Sequence, residues 1–336
     1  METVRWGIIG CGDVTEVKSG PALQKADGSE LIAVMRRDAA KAADYARRHG
    51  VPKSYADADA LINDPDINAV YIATPPAWHE PYALKVCAAG KACYVEKPMA
   101  RNTAEARRMT EAFARAKIPL FVAYYRRALP KFVKAKQIIA GGEIGPLRSA
   151  SYSYHDSRMN DRTDPVPWRF NPEIAGGGLF LDLGSHALDV LDFLLGPLNF
   201  TTGSASNAGK KYPTEDRVEV TFTAMGCVQG RADFQFASDR KEDSLLIEGK
   251  IGQLQLSCFA GDSLRLQDRP IELPSPPHVQ QPLVQAIVDS LRGVSPAADW
   301  LPTAEVALRT QTAMDFALKD YYGGREDGFW KRRRPM

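Results

Sequence analysis

The chain has 336 residues, of which 44% are hydrophobic and 25% charged, with a formal net charge of +2. This length suits two domains, each with its own core, and the near-neutral balance leaves no footprint for nucleic acid or a membrane surface. No apolar run reaches the roughly 18 residues that suggest a membrane span, and no signal peptide is expected before the first strand. Five scattered cysteines, at 11, 87, 93, 227 and 258, match no zinc spacing and point to a reduced compartment, the cytoplasm. The basic tail Lys331-Arg332-Arg333-Arg334 reads as a solvated terminus.

In chain order, Val4–Ile9, Leu31–Met35, Ala69–Ala73, Cys93–Val95 and Leu120–Val122 read as strands. They alternate with helical patterns at Ala39–His49, Ala58–Asn63, Pro81–Ala89 and Thr103–Ala116. Such alternation predicts an α/β domain over 1–123, a doubly wound parallel sheet that binds its ligand at the carboxyl ends of the strands. The second domain, 124–336, begins with a helix at Pro130–Ala140 and a strand at Leu147–Tyr154. A polar stretch over 155–175 follows, long enough for a loop of this kind to be functional. Its Arg158, Arg162, Trp168 and Arg169 favour function over a loop packed by its own side chains. After Gly176-Gly177-Gly178 a helix is expected at Leu179–Leu195. Alternating segments at Thr201–Ser206, Arg217–Ala224, Val228–Phe236, Ser244–Glu248 and Gln253–Ser257 predict an antiparallel or mixed sheet with one solvated face. Helices at Pro282–Leu291 and Thr303–Asp320 close the chain.

The first strand runs into Gly10-Cys11-Gly12-Asp13-Val14. Gly10 permits a tight turn, Gly12 lets the backbone approach a pyrophosphate, and a helix start offers its free N–H groups to that anion. Thr15 stands at the third small position of this dinucleotide fingerprint, where Gly or Ala is usual. The second strand bears on which dinucleotide is held. An NAD enzyme places a carboxylate near its end, whereas here Arg36-Arg37 comes first and Asp38 only afterwards. Two guanidiniums would clamp a 2′-phosphate that a carboxylate would repel, so NADP(H) is expected over NAD(H).

Asp182 and His186, four apart on a predicted helix, share a face, and Asp189 lies a turn beyond. The rest of that helix is apolar, where acids and a histidine are unfavourable unless used or paired. Lys97, in Glu96-Lys97-Pro98 at the end of a strand, adds a third group. Reduction of a carbonyl needs a proton donor at its oxygen while hydride arrives from nicotinamide, and lysine and histidine both serve when their pKa values approach neutrality. A structural histidine with a salt-bridging acid is the plainer alternative. Metal is not expected, since one Asp and one His make a poor zinc site.

The stretches GIIGCGDV at 7–14, Ala73-Thr74-Pro75 through His79, AGKACYVEKP at 89–98, GGEIGPLRS at 141–149 and GGGLFLDLGSH at 176–186 resemble, over essentially the whole chain, the Gfo/Idh/MocA oxidoreductases. The resemblance implies an N-terminal Rossmann domain and a C-terminal α/β domain whose open sheet often serves as an oligomer interface. A homodimer or homotetramer is therefore expected. It implies that Lys97 contacts nicotinamide ribose and substrate hydroxyl, that His186 is the acid/base and that Asp182 binds or polarises the substrate. Thr74, Pro75 and His79 would line the cofactor trough, Glu96 would touch the nicotinamide ribose, and the Lys97–Pro98 bond would be cis. Trp168-Arg169 is similar to a pair that some NADP-dependent members place over the cofactor. Tyr125 stands where many relatives have Asn, and it joins Tyr154 and Arg162 as a candidate for the substrate pocket.

The expected activity is hydride transfer between NADP(H) and a sugar, polyol or related carbonyl/hydroxyl compound. Three alternatives use the same fold: a dihydrodiol dehydrogenase-type enzyme, an NAD-dependent glycosidase, and a non-catalytic NADP-binding regulator. The regulator would have no need for Lys97, Asp182 and His186 together.

Overall fold

Short runs rich in Val, Ile and Tyr pair into one parallel sheet in the first part of the chain. Its strands are β1 (Val4–Ile9), β2 (Ser29–Met35), β3 (Lys53–Tyr55), β4 (Ala69–Ile72), β5 (Ala92–Val95) and β6 (Leu120–Val122), in the order β3-β2-β1-β4-β5-β6. All five pairings are parallel. Every residue of β4, β5 and β6 is buried, as a parallel sheet covered on both faces requires. Strand order reverses between β1 and β4, so the turns after these two strands flank the switch point where such sheets take their ligands.

The computed structural model describes residues 1–295 and 298–331, so Arg332, Arg333 and Arg334 of the basic tail lie outside the described residues. The chain divides into two units. The first comprises Met1–Ala100, Glu105–Arg127 and Pro276–Leu308; the second comprises Arg101–Ala104, Ala128–Ser275 and the residues from Arg309 onward. Within the first unit, the helix Gln281–Arg292 packs on β1 and on the helix Gly20–Lys25.

In the second unit an eight-stranded sheet has the order β14-β13-β12-β11-β7-β10-β9-β8. Its strands are β7 (Leu147–His155), β8 (Leu198–Ser206), β9 (Arg217–Ala224), β10 (Val228–Gln235), β11 (Glu242–Gly249), β12 (Gln253–Leu256), β13 (Ser263–Leu266) and β14 (Arg269–Glu272). The β7–β10 pair is parallel and the other pairs are antiparallel. Alternation sets the faces: Val218, Val220, Phe222, Ala232 and Phe234 are buried, while Glu219 and Arg231 pair at 2.6 Å on the outer side. That outer face is polar, with His155 and Asp233 2.6 Å apart.

The structure departs from the sequence reading where segments are short. β3 has three residues and no buried one, so periodicity gave no sign of it. β13 and β14 have four residues each, and β14 carries Pro270, which confines it to an edge. The polar stretch 155–175 folds into short turns at Trp168–Phe170 and Pro172–Ala175. Tyr212 fastens it, stacking on Phe170 at 4.0 Å between ring centroids and accepting the Thr163 N–H at 2.9 Å. The expected helix Leu179–Leu195 opens as a π-turn, Phe180–Gly184, and becomes α-helical at Ser185–Leu195. Asp182 therefore sits in the wide turn and His186 in the α-helix after it. Gly184 matters here, because a Cβ at this position would collide with the Phe180 ring.

After the glycine turn the first helix is also short, Asp13–Val17, and a second begins at Gly20. Pro21 explains the break, since proline lacks the N–H that a continuing helix needs. Glu16 on the short helix accepts hydrogen bonds from Arg48 at 2.7 and 2.8 Å and meets His49 at 2.7 Å. The Arg48 hydrogen bonds are the main cause that lowers its pKa to about 2. An acid with a lowered folded-state pKa contributes stability above its ordinary value of 4.5 and loses it as pH falls toward about 2. Glu16→Gln should lower the urea midpoint at neutral pH and shrink the difference between neutral and acidic midpoints. An unchanged difference would contradict this role.

All five cysteines are free thiols. Among the described residues no helix is long and apolar enough to cross a membrane, and no group of three or more His, Cys, Asp or Glu side chains is placed to hold a metal ion.

Candidate functional site

In the first unit, the turn after β1 is built by close approach. Gly10 has φ +92°, and a Cβ there would lie 2.9 Å from Thr74 Cγ2 and 3.1 Å from the Thr74 amide nitrogen. Only glycine fits both constraints. The Gly10 and Cys11 amides donate to the Met35 carbonyl at 2.9 and 3.2 Å, tying the turn to the end of β2. Asp13 and Val14 open the helix, where amides have no intrahelical acceptor. Thr15 is fully buried, its hydroxyl donating to the Gly12 carbonyl at 2.7 Å, so this larger residue is accommodated. Beside the turn, the buried Thr74 hydroxyl has no hydrogen-bond partner among the described residues. Buried polar groups normally find one. Free helix-start amides beside an unsatisfied hydroxyl fit a dinucleotide: amides for the diphosphate, the hydroxyl for a polar group of the ligand.

At the end of β2 the charges separate. Asp38 caps the helix Ala39–His49, accepting the Lys41 N–H at 3.1 Å, and this bond is the main cause that lowers its pKa. Arg36 and Arg37 are exposed. Arg36 Nη1 lies 3.3 Å from the Cys11 carbonyl, next to the glycine turn, and the Arg37 guanidinium lies 5.7 Å from the centre of the Trp78 ring.

Lys97 follows β5, and its bond to Pro98 is cis. Its neighbour Glu96 is 8% exposed. Glu96 Oε1 accepts from the Tyr71 hydroxyl at 2.6 Å and from Gln280 Nε2 at 2.8 Å, and Oε2 accepts the Lys97 N–H at 3.2 Å. Tyr94 donates to Gln280 Oε1 at 2.9 Å and stacks on Tyr71. Burial, followed by the Glu96 charge, pushes both tyrosine pKa values well up. Glu96 thus belongs to a buried polar network that fixes the Lys97 backbone. On the other side of this segment, buried His79 places Nε2 2.7 Å from the Thr74 carbonyl and Nδ1 3.0 Å from that of Pro98. Burial lowers its pKa, and the facing carbonyls offset only part of that effect. His79 therefore joins the Thr74-Pro75 turn to the lysine segment.

In the second unit the glycine run is fixed from outside. Gly176 has φ +84°, and a Cβ there would lie 2.6 Å from the Arg101 backbone. Arg325 donates to the Gly176 and Arg101 carbonyls, each at 2.7 Å, and Glu215 accepts the Gly178 N–H at 2.8 Å and the Tyr322 hydroxyl at 2.7 Å. Burial raises the Glu215 pKa. These contacts aim the π-turn that carries Asp182. Asp182 Oδ2 lies 3.3 Å from Arg169 Nε, whose guanidinium rests 4.4 Å from the centre of the exposed Trp168 ring. His186 is 4% exposed, and its ring meets Phe259 edge-on at 6.2 Å.

The structure brings Trp168 and Arg169 to Asp182. Tyr154 is buried, donates to Asp156 at 2.7 Å and packs on the same Phe259 ring that meets His186. Arg162 lies on the exposed part of the loop. Tyr125, in the first unit, is buried with Arg126 against its ring. Sequence reasoning missed Tyr71, Tyr94, Gln280, Glu215, Arg325 and Phe259. Tyr71 and Tyr94 read as strand apolar positions, and nothing local marks Gln280, which lies 184 residues from Glu96. Replacing Gln280 by Leu leaves the Tyr94 hydroxyl and Glu96 each short of a buried partner. It should destabilise the protein by about 1–3 kcal/mol in urea unfolding; a change under about 0.5 kcal/mol would show that the network does not hold this segment.

Residues 4–124 match the model of the oxidoreductase family with an NAD-binding Rossmann fold, and residues 132–255 match the GFO/IDH/MocA C-terminal domain. The chain is 38% identical over 85% of its length to Oxidoreductase P35 of Formosa agariphila, covering 90% of that protein. It is 30% identical over 81% of its length to trans-1,2-dihydrobenzene-1,2-diol dehydrogenase of Sus scrofa, covering 80% of that protein. Its fold is similar to a crystal structure of an NAD binding oxidoreductase from Klebsiella pneumoniae, with TM-score 0.83, 25% identity and coverage of 94% of this chain and 95% of the other.

Proposed function

The chain belongs to the Gfo/Idh/MocA oxidoreductase family, and we propose that it is an NADP(H)-dependent enzyme acting on a sugar, polyol or related carbonyl/hydroxyl compound. The observation that carries the nucleotide choice is the division of charge after β2. Asp38 is engaged as a helix cap, while Arg36 and Arg37 are exposed, Arg36 beside the glycine turn and Arg37 near the Trp78 ring. A hydrogen bond to a charged group contributes about 1.5–3 kcal/mol, so one arginine–phosphate contact changes affinity about ten- to hundredfold.

Bound nicotinamide supplies or accepts a hydride at its C4. In this reading residues 1–123 hold the nucleotide, with the Gly12, Asp13 and Val14 backbone at the diphosphate and Thr74, Pro75, His79 and Glu96 lining or supporting the trough. Trp168 and Arg169 cover the cofactor. Residues 124–336 serve the substrate and assembly into a homodimer or homotetramer. The Lys97 ammonium donates a hydrogen bond to the reacting oxygen, and Lys97 and His186 give or take its proton. Asp182 accepts a substrate hydroxyl and fixes its direction, its own charge balanced by Arg169. Tyr125, Tyr154 and Arg162 shape the pocket. A dihydrodiol dehydrogenase-type oxidation is the second reading, favoured by the similarity to the pig enzyme, and it uses the same residues.

Paired titrations with NADPH and NADH test the nucleotide. NADPH should bind at least about tenfold tighter, and Arg36→Ala should erase most of that preference. Equal or tighter NADH binding would sink the arginine argument. In a screen of carbonyl and polyol substrates, Lys97→Ala and His186→Ala should each lower kcat by about 10²–10⁴ while NADPH binding stays. Full turnover in either variant would remove that residue from acid–base duty.

A further inference from the structure

One carboxylate in the second unit gathers an unusual number of donors. Asp243 stands on β11 opposite Tyr154 of β7, on the sheet face that also carries Tyr152. Its Oδ1 accepts from the Tyr152 hydroxyl at 3.0 Å and the Cys258 N–H at 2.9 Å. Its Oδ2 accepts from the Phe259 N–H at 2.6 Å, the Ala260 N–H at 3.1 Å and the Ser257 hydroxyl. Three successive backbone amides thus wrap one carboxylate. Lys131, itself 4% exposed, closes the loop from the other end by donating to the Ala260 and Gly261 carbonyls at 3.0 and 2.7 Å. The residue held at the centre of this loop is Phe259. Its half-buried ring meets His186 edge-on at 6.2 Å and Tyr154 edge-on at 5.2 Å.

So much charge-assisted bonding is more than a surface turn requires, since each such bond is about twice as strong as a neutral one. Its effect is to fix one aromatic ring beside the imidazole assigned to proton transfer. We propose that Asp243 is a positioning residue that holds Phe259 as an aromatic wall at His186, and that this wall selects substrates with an apolar ring face, such as cyclic polyols and pyranoses. Ring selection rests on the oxidoreductase reading of the site; the hold of Asp243 on Phe259 does not. A hydroxylated ring presents its C–H groups on its faces, and burying them on Phe259 directs the hydroxyls of the ring edge toward the imidazole. An open-chain polyol has no such face and gains little from the wall.

The test begins without turnover, on the full chain carrying labelled histidine. The His186 imidazole signal is identified by its loss in His186→Gln. Phe259→Leu removes the ring and should displace that signal. Asp243→Asn should displace it in the same direction, because either orientation of the amide sets an NH₂ group against backbone N–H groups that now meet an oxygen. The signals of His49, His79 and His278 should stay in place and report an intact first unit, and that of His155, held 2.6 Å from Asp233 on the outer sheet face, should persist and report an intact second one. If Asp243→Asn does not fold, Ser257→Ala, which removes one of the carboxylate's donors, should give a smaller displacement of the same sign. A His186 signal unmoved in Phe259→Leu overturns the wall. One moved there but unmoved in both loop variants overturns the role of Asp243.

Kinetics then read the substrate class. Phe259→Leu should raise KM for cyclic polyols about tenfold, leave kcat within about threefold, and leave KM for open-chain polyols unchanged. An equal rise for both classes overturns ring selection. No turnover by the wild-type chain on either class would count against the oxidoreductase reading, and the histidine spectra would still decide the wall.

Discussion

The Glu96 carboxylate lies at the end of β5 almost out of reach of water, and a charge in that position is tolerable only if donors surround it. They come from three directions: the Tyr71 hydroxyl on β4, the Gln280 amide at the start of the helix Gln281–Arg292, and the Lys97 backbone N–H. Because the partners come from separate parts of the chain, the carboxylate pins a strand end, a distant helix and the lysine segment to one another. His79 adds a second clamp between that segment and the Thr74 turn, and the Thr74 turn in turn abuts Gly10. From the glycine turn to Lys97, the first unit presents one chain of hydrogen bonds and close approaches. In the proposed reading, this rigidity is what would let a short helix of five residues serve the nucleotide: the amides are placed by the turn, and the modest dipole of Asp13–Val17 is secondary.

The second unit solves a similar problem with backbone shape. Three glycines let the chain turn where side chains would collide, and Arg325 and Glu215 satisfy the buried Gly176 carbonyl and Gly178 amide of that turn. The result is a π-turn carrying Asp182 ahead of the α-helix carrying His186. Wide turns of this kind are often found at functional sites. Here the cause is local and visible, since Gly184 makes room for the Phe180 ring.

Much of this was legible in the amino-acid order. The helices Ala39–His49 and Thr103–Ala116 fall where periodicity puts them, because long, regularly patterned segments bury one face, and β1 and β6 are legible as continuous apolar runs of a sheet covered on both faces. Gly10 and the glycine run announced themselves, since only backbone need explains them. The segments that escaped are short with no buried residue, like β3, or depend on an edge, like β14. The π-turn escaped for another reason: apolar spacing does not distinguish it from an α-turn over five residues. Gln280, Glu215 and Phe259 act across long sequence separations, and no local pattern records a hydrogen bond or ring contact made after folding. The arginines at the end of β2 were legible as charges. That Asp38 is a helix cap became clear only from its bond to the Lys41 amide.

A crystal structure of the chain with NADPH bound would decide how the end of β2 meets the nucleotide. It should show the diphosphate on the Gly12–Val14 backbone, the 2′-phosphate against Arg36 and Arg37, the Thr74 hydroxyl bonded to the nucleotide, and Asp38 still capping its helix. Ribose hydroxyls bonded to Asp38, with both arginines turned to solvent, would contradict it.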